Sequence, residues 1–515
     1  MLWFILFFAP AAFGATEWWS RAVLESLIFI LAAMCSLRRD FVAPLNVSLI
    51  GFAVIVALGV LQLLHARPLI EPAGLIPSTL SRPQTFYALL FWTALTALLW
   101  SASGILRWEG VLRRLLWVVF AVGICIAVVG ILQGGQGNTD YYGLRPIRQG
   151  RPFGPFTNSD HAATWMVASA FVGAGLFASS FQRGRAPLTE RIAQQILIAF
   201  ALAVLIAGVF QANSRGGVNA FAVSALVTAF LAAGSISRDW PRRFMRLGVV
   251  LALGAYGLFL HTNPKWLGFV DGALDGSAAY RLSMYRSGLR MLADFPISGV
   301  GLCGFINAFH AYQKPLVDGL VDHVHCSWLE IALEAGLIGL IAFGAAVLQP
   351  LVALGRRLTA VDFPMRAAAA GCFAALLAAV LHGFVEFSFQ IPADAVLYVV
   401  LLAAVSILLF APSKPFPGDR RLRASLAGAF LLLAILDLPF GFVGLAPRLE
   451  APFESASDTL VSSVEPRTAG LIQERERLLR NPAEPMLRYR YGVALWKAGR
   501  PYDADAYLRR AGDKK

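Results

Sequence analysis

Apolar runs of about 18 residues or more recur along the whole chain, and no other feature restricts its fold as tightly. In hydrocarbon every backbone N–H and C=O must be satisfied within its own segment, so each such run crosses a bilayer as a helix. The runs fall at 2–16, 22–37, 46–64, 85–104, 115–133, 162–180, 194–211, 217–235, 247–262, 329–350, 367–385, 394–412 and 424–445. They predict an all-α polytopic membrane protein with about 12–13 transmembrane helices. The composition agrees: 57% of the 515 residues are hydrophobic and 15% charged, whereas soluble domains hold about 25% charged residues. The opening "MLWFILFFAPAAFGA" has no basic leader and a second apolar run follows at once, so it reads as the first membrane helix, not a signal peptide.

The loops test that threading. With a cytoplasmic N-terminus, the inner loops hold Arg38 and Arg39; Arg107, Arg113 and Arg114; Arg183, Arg185 and Arg191; and Arg238, Arg242, Arg243 and Arg246. The remaining inner loops hold Arg356, Arg357 and Arg366, then Lys414, Arg420, Arg421 and Arg423. Every inner loop is basic, as the positive-inside rule requires. The net charge of +13 is therefore accounted for without nucleic acid. The outer side receives 65–84, 134–161, 212–216, the large segment of about 263–328 and the chain beyond 446. All seven histidines (His65, His161, His261, His310, His323, His325, His382) fall there or in the outer half of a helix, so the chemistry belongs on that side. The five cysteines form no CxxC or other metal-ligand spacing.

Polar residues gather on the outer side in short stretches. "GRPFGPFTNSDHAATW" leads into a helix through Asn158, Ser159 and Asp160, which have the chemistry of an N-cap, with His161 either a bystander or functional. "QANSRGGVNAF" sets Arg215 before paired glycines. Arg215 is either an anchor at the membrane surface or a phosphate ligand, since a guanidinium matches phosphate oxygens and glycines allow close backbone approach. "SAAYRLSMYRSGLRMLADFP" spaces Arg281, Tyr285, Arg286 and Arg290 on a helix and predicts Leu282, Met284, Leu289 and Leu292 on its apolar side. A Gly-rich turn, "FPISGVGLCGF", follows, and "DHVHCSWLEIALEAGLIGL" enters the next span. No phosphate-binding loop of the Walker type is present, and the lone GVG lacks the strand–turn–helix context of a dinucleotide site. His323 and His325 could ligate zinc given a third ligand from Asp322, His310 or Asp160, and Cys303 and Cys326 share the outer side and could pair.

In order and topology these stretches resemble the O-antigen ligase and polymerase superfamily of bacterial surface-polysaccharide enzymes, over roughly 1–445. "GPFTNSDHAA" is similar to its GxFxNxNHxA loop and "NSRGG" to its arginine turn. "RLSMYRSGLRMLADFPISGVG" is similar to its R-x3-W/Y helix and P-[LI]-x-G-x-G turn, and "HVHCSWLEIALEAG" to its H-x-H-N-x-[WY]-L-x5-E-x-G entry. The resemblance implies a GT-C-like, metal-independent glycosyltransferase in the bacterial inner membrane, with no cofactor and its active site and C-terminus periplasmic. The donor would be a glycan on undecaprenyl diphosphate, and the acceptor a lipid A-core, another glycan repeat or a protein hydroxyl. Arg215 and Arg281, with Arg286 beside them, would bind the diphosphate. His325 would be the base, with His323 as its neighbour and Glu334 the matching acid. Asn158, Asp160 and His161 would form a donor or acceptor loop. Cys326 departs from the family's asparagine, and Asp160 from another. Asp160 could pair with Arg151 or with His161. A non-enzymatic alternative is a glycolipid transporter, although internal repeats and midplane polar sites, which transporters usually carry, are not evident.

Beyond 446 the apolar runs stop. "PMLRYRYGVALWKAGRPYDADAYLRRAG" resembles one tetratricopeptide repeat through Gly492, Gly499, Ala504, Leu508 and Ala511, or else is a plain amphipathic hairpin. A single repeat cannot bury its own apolar face, so it would dock on outer loops or on a protein partner.

Overall fold

The computed structural model describes residues 1–42, 45–65, 76–108, 110–135, 142, 151–181, 187–270, 273–309, 312, 321–360, 365–409, 420–443, 474, 477 and 490–495. In chain order the helices are α1 Leu2–Ala11, α2 Trp18–Leu37, α3 Val47–Leu64, α4 Arg82–Ile105, α5 Val111–Gly135, α6 Ser159–Ser180, α7 Leu188–Gln211 and α8 Arg215–Ala233. They continue with α9 Asp239–Thr262, α10 Gly276–Asp294, α11 Phe305–Ala308, α12 Ser327–Leu358, α13 Arg366–His382, α14 Pro392–Leu409 and α15 Arg420–Val443. Among the described residues ten helices are long and apolar enough to cross a membrane. The other expected spans fall on α1, α13 and α15. Between α9 and α10, β1 Phe269–Val270 pairs antiparallel with β2 Ala273–Leu274. The protein is an all-α polytopic membrane protein.

The chain forms two compact units. The first comprises Met1–Ala53, Trp92–Ala278 and Ala342–Phe442, the second Val54–Phe91, Ala279–Ile341 and Val443–Lys515. The boundary expected between 445 and 446 lies outside the described residues, and so do His310 and nearly all of the tetratricopeptide-like stretch.

In the first unit small residues set the helix spacing. A Cβ on Gly175 of α6 would come within 2.6 Å of the Ala367 carbonyl oxygen, and one on Gly371 of α13 within 2.7 Å of the Phe171 carbonyl oxygen. Backbones that close are typical of membrane helix pairs, where lipid offers no hydrophobic drive and close packing must hold them. The α14 helix is buried on nearly every side, whereas α9 buries only Val249 and leaves apolar side chains outward, as a lipid-facing helix can. On α2 the two charged side chains pair, Arg21 donating to Glu25 at 2.6 Å.

In the second unit a core of Met284, Met291, Phe295, Val300, Phe305, Phe309, Val324 and Leu333 binds α10, α11 and the start of α12 together. The inner face of α10 is Met284, Ser287, Gly288 and Met291. Leu282 and Leu289, expected on the apolar side, are 36% and 57% exposed. Seven apart, they share a face of their own, out of phase with the 284–288–291 stripe, so one side of the helix cannot bury both sets.

Candidate active site

In the second unit the Gly-rich turn and the start of α12 lock into each other. Gly336 interrupts α12 with φ 64° and ψ −166°, a region open essentially to glycine alone. The N–H groups released there are taken up by the turn: Leu337 donates to the Pro296 carbonyl at 2.8 Å and Ile338 to that of Ile297 at 3.2 Å. In return Val300 and Gly301 donate to the Leu333 and Glu334 carbonyls at 3.0 and 3.1 Å. A Cβ on Gly299 would sit 2.3 Å from the Glu334 carbonyl carbon, and one on Gly336 2.1 Å from the Ile297 carbonyl oxygen. Gln62 of α3 completes the joint, donating to the Ser298 and Glu334 carbonyls at 2.7 and 3.0 Å and accepting from Leu302 N–H at 3.0 Å. The Glu334 carboxylate accepts the Phe305 N–H at 3.4 Å, so it caps this turn.

The joint sets the first turn of α12, and with it the segment carrying the two histidines. Glu330, its side chain 3% exposed, faces back over that turn. Its Oε1 lies 2.6 Å from His323 Nδ1, and its Oε2 accepts the Val324 N–H at 3.1 Å. His325 follows with φ 53°, the left-handed region, which costs a non-glycine residue on the order of 1–3 kcal/mol. The Tyr285 hydroxyl of α10 donates to the His325 carbonyl at 2.8 Å and helps hold that conformation. Cys326 stands at the cap of α12: its Sγ accepts the Leu329 N–H at 3.4 Å, and its carbonyl the Glu330 N–H at 2.9 Å. Burial pushes its thiol up. No disulfide joins it to Cys303.

Burial alone would push the His323 imidazole down. The carboxylates of Glu330, Asp322 and Glu334 more than offset that and carry it up to about 9. On α10, Arg281 is half-buried while Arg286 and Arg290 are exposed. Arg281 lies one helical turn before Tyr285, on the same face.

In the first unit Ser214 caps α8 by accepting the Gly217 N–H at 3.2 Å. Arg215, the next residue, donates through Nη1 to the Lys265 carbonyl at 2.9 Å and to the Asp275 carboxylate. The guanidinium holds the Asp275 carboxyl below its ordinary value, and Asp275 accepts the Ala278 N–H at 2.8 Å at the start of α10. The glycines after Arg215 serve helix packing: a Cβ on Gly216 would come within 2.9 Å of the His382 ring, and one on Gly217 within 3.1 Å of Ala163. The loop before α6 is an N-cap, with Asn158 accepting the Asp160 N–H at 3.0 Å. Asp160 lies 3.5 Å from Arg151 Nη2, whereas His161 faces Asp394 at 3.6 Å and the Phe387 ring at 4.8 Å.

The family model described as O-antigen ligase matches residues 199–344. This segment belongs to the O-antigen ligase and polymerase superfamily. No curated protein matches the chain. The O-antigen ligase segment runs from before Arg215 to beyond Gly336, so it takes in the arginine turn, α10, the Gly-rich turn and the histidine segment. The structure gathers His323, His325 and Glu334, with α10 and its arginines, in the second unit. Arg215, Asn158, Asp160 and His161 belong to the first. Among the described residues no group of three or more His, Cys, Asp and Glu side chains could hold a metal ion.

Sequence reasoning did not single out Glu330, Gln62, Asp275 or Asp394, and it placed Tyr285 on its helix without a partner for it. Glu330 had a signal, as an acid in the first turn of an apolar helix. Gln62 had one as a polar residue inside an apolar run. For Asp394 the signal was weaker, because an acid at a helix start is ordinary.

Proposed function

We propose that the protein transfers a glycan from a polyprenyl-diphosphate carrier to an acceptor hydroxyl on the periplasmic face of the inner membrane. The observation that carries this reading is the hold of Tyr285 on His325: one helical turn from Arg281, α10 touches the backbone of the histidine proposed as base, at 2.8 Å. The membership of 199–344 in a family of glycan-transferring enzymes supports it from outside the geometry.

In this reaction His325 takes the proton of the acceptor hydroxyl, the oxygen attacks the anomeric carbon, and the bond from that carbon to the phosphate oxygen breaks. Charge builds on the leaving diphosphate, and Arg281, Arg286 and Arg215 are the cations assigned to it. Direct attack inverts the anomeric centre. Glu334 acts through structure, holding the turn beside the base. His325→Ala, made in the full chain in liposomes with a carrier-linked glycan and acceptor, lowers transfer by at least about 100-fold. Unchanged transfer would remove the base assignment, and unchanged transfer by Arg281→Ala or Arg215→Ala would remove the diphosphate role of that arginine. Deletion of the gene identifies the acceptor class: carrier-linked polymer accumulates for a ligase, and single repeat units for a polymerase.

A further inference from the structure

The arginine turn is fastened at two points to the hairpin between α9 and α10. On α8, Arg215 and Asn219 stand four residues apart, on the same face. Arg215 donates to the Lys265 carbonyl at 2.9 Å, and Asn219 Nδ2 to that of the next residue, Trp266, at 3.1 Å. Asn219 is itself fixed, since its Oδ1 accepts the Tyr256 hydroxyl of α9 at 2.6 Å. Beyond Trp266 the chain turns through Gly268, with φ 85°, runs out along β1 and returns along β2. Asp275 closes that hairpin, its N–H donating to the Gly268 carbonyl at 2.7 Å. The two acceptors of Arg215, the Lys265 carbonyl and the Asp275 carboxylate, therefore flank one closed hairpin.

The Asp275 carboxylate divides its two oxygens. Oδ1 accepts the Ala278 N–H at 2.8 Å, three residues on, which makes Asp275 the N-cap of α10. Oδ2 accepts from Arg215 Nη1, the same nitrogen that reaches Lys265. A guanidinium carries five N–H donors in one rigid plane, so two contacts at one corner set the direction of the others and take up only two donors. An arginine side chain that is not held samples many rotamers, and ordering it when a ligand binds weakens affinity.

We propose that Asp275 is a positioning residue for Arg215, holding the guanidinium ready for a phosphate oxygen of the lipid-linked diphosphate, and that it does so from the cap of the helix that also carries Arg281. The inference rests on the glycan-transfer reading and adds to its diphosphate site a residue that no motif names. An aspartate there also repels the anion. The pair is partly exposed, however, 35% for Arg215 and 22% for Asp275, so solvent screens that repulsion and orientation is the larger effect.

Asp275→Asn separates the two effects. Its amide keeps one oxygen for the Ala278 N–H but turns an NH2 group, which cannot accept, toward Arg215. The measurement is KM and kcat for carrier-linked glycan, with the full chain in liposomes, beside the unfolding midpoint in detergent. Asp275→Asn raises KM about threefold to tenfold, changes kcat less and keeps the midpoint, because the cap remains. Arg215→Ala raises KM at least as much, and adding Asp275→Asn to it raises KM no further. A lower KM in Asp275→Asn would overturn the proposal, since Asp275 would then compete with the diphosphate. So would a lowered midpoint and kcat with KM unmoved, the mark of a residue that only holds the hairpin. If Asp275→Asn does not fold, Asp275→Ser, a capping residue one bond shorter toward Arg215, is read in the same way. An unchanged KM in Asp275→Asn beside a raised KM in Arg215→Ala contradicts this inference alone. An unchanged KM in Arg215→Ala contradicts the diphosphate assignment on which it rests.

Discussion

Cys326 occupies the position from which a side chain caps α12, and its thiol accepts the Leu329 N–H at 3.4 Å. Asparagine is among the strongest residues at that position and a thiol a weak acceptor. Cys326→Asn therefore raises thermal stability in detergent, by about 1 kcal/mol, with transfer retained; a lower midpoint would show that the site needs the thiol's size. The family's asparagine at this place thus has a local explanation as a helix cap. Gly336 is the opposite case, since no other residue is tolerated there. Its φ of 64° and the 2.1 Å approach of an added Cβ to the Ile297 carbonyl oxygen make Gly336→Ala destabilising. Backbone strain alone costs on the order of 1–3 kcal/mol, read as a fall in the unfolding midpoint. Both residues stood out in the sequence as letters of a motif. Their contacts did not, because Ile297 and Leu329, although letters of the same motifs, take part through backbone atoms, which leave no trace in side-chain identity.

At the scale of elements, the apolar runs were legible because a bilayer leaves a chain few options: each expected span falls on a described helix. Legibility stopped where one element answers another across a long separation in sequence. Glu330, seven residues beyond His323, carries the charge that fixes that histidine; spacing alone cannot tell it from Glu334, which lies on the next turn of the same helix. The pairing of α10 was likewise set by phase: its buried stripe follows Met284 and Met291, which leaves Leu282 and Leu289 outside. The glycines of the arginine turn looked suited to a ligand's approach, yet Gly216 makes room for the His382 ring. The contact of α6 with α13 gives this scale its own test. Gly371→Leu places a branched side chain where a Cβ already meets the Phe171 carbonyl oxygen at 2.7 Å. Overpacking of that kind costs about 1–3 kcal/mol, so the variant unfolds at lower temperature, while Gly428→Leu on α15, with nothing near its Cβ, does not.

Taken whole, the chain carries the histidine segment and the arginine turn proposed for transfer in loops and at helix starts, where an enzyme working at a membrane face would have them, although Arg21, Glu25 and Gln62 stand inside spans. The O-antigen ligase segment, 199–344, contains the arginine turn and the histidine turn together, although they belong to different compact units. What the sequence could not convey at this scale is the acceptor, which depends on the shape of surfaces and not on a motif. The central claim is that the chain breaks the bond between glycan and carrier. The most direct measurement follows free undecaprenyl diphosphate released by the purified full chain in liposomes loaded with carrier-linked glycan and an acceptor. Release that matches glycosylated acceptor one for one, and that is lost in His325→Ala, is the predicted result; glycolipid that changes leaflet with its carrier bond intact would contradict it.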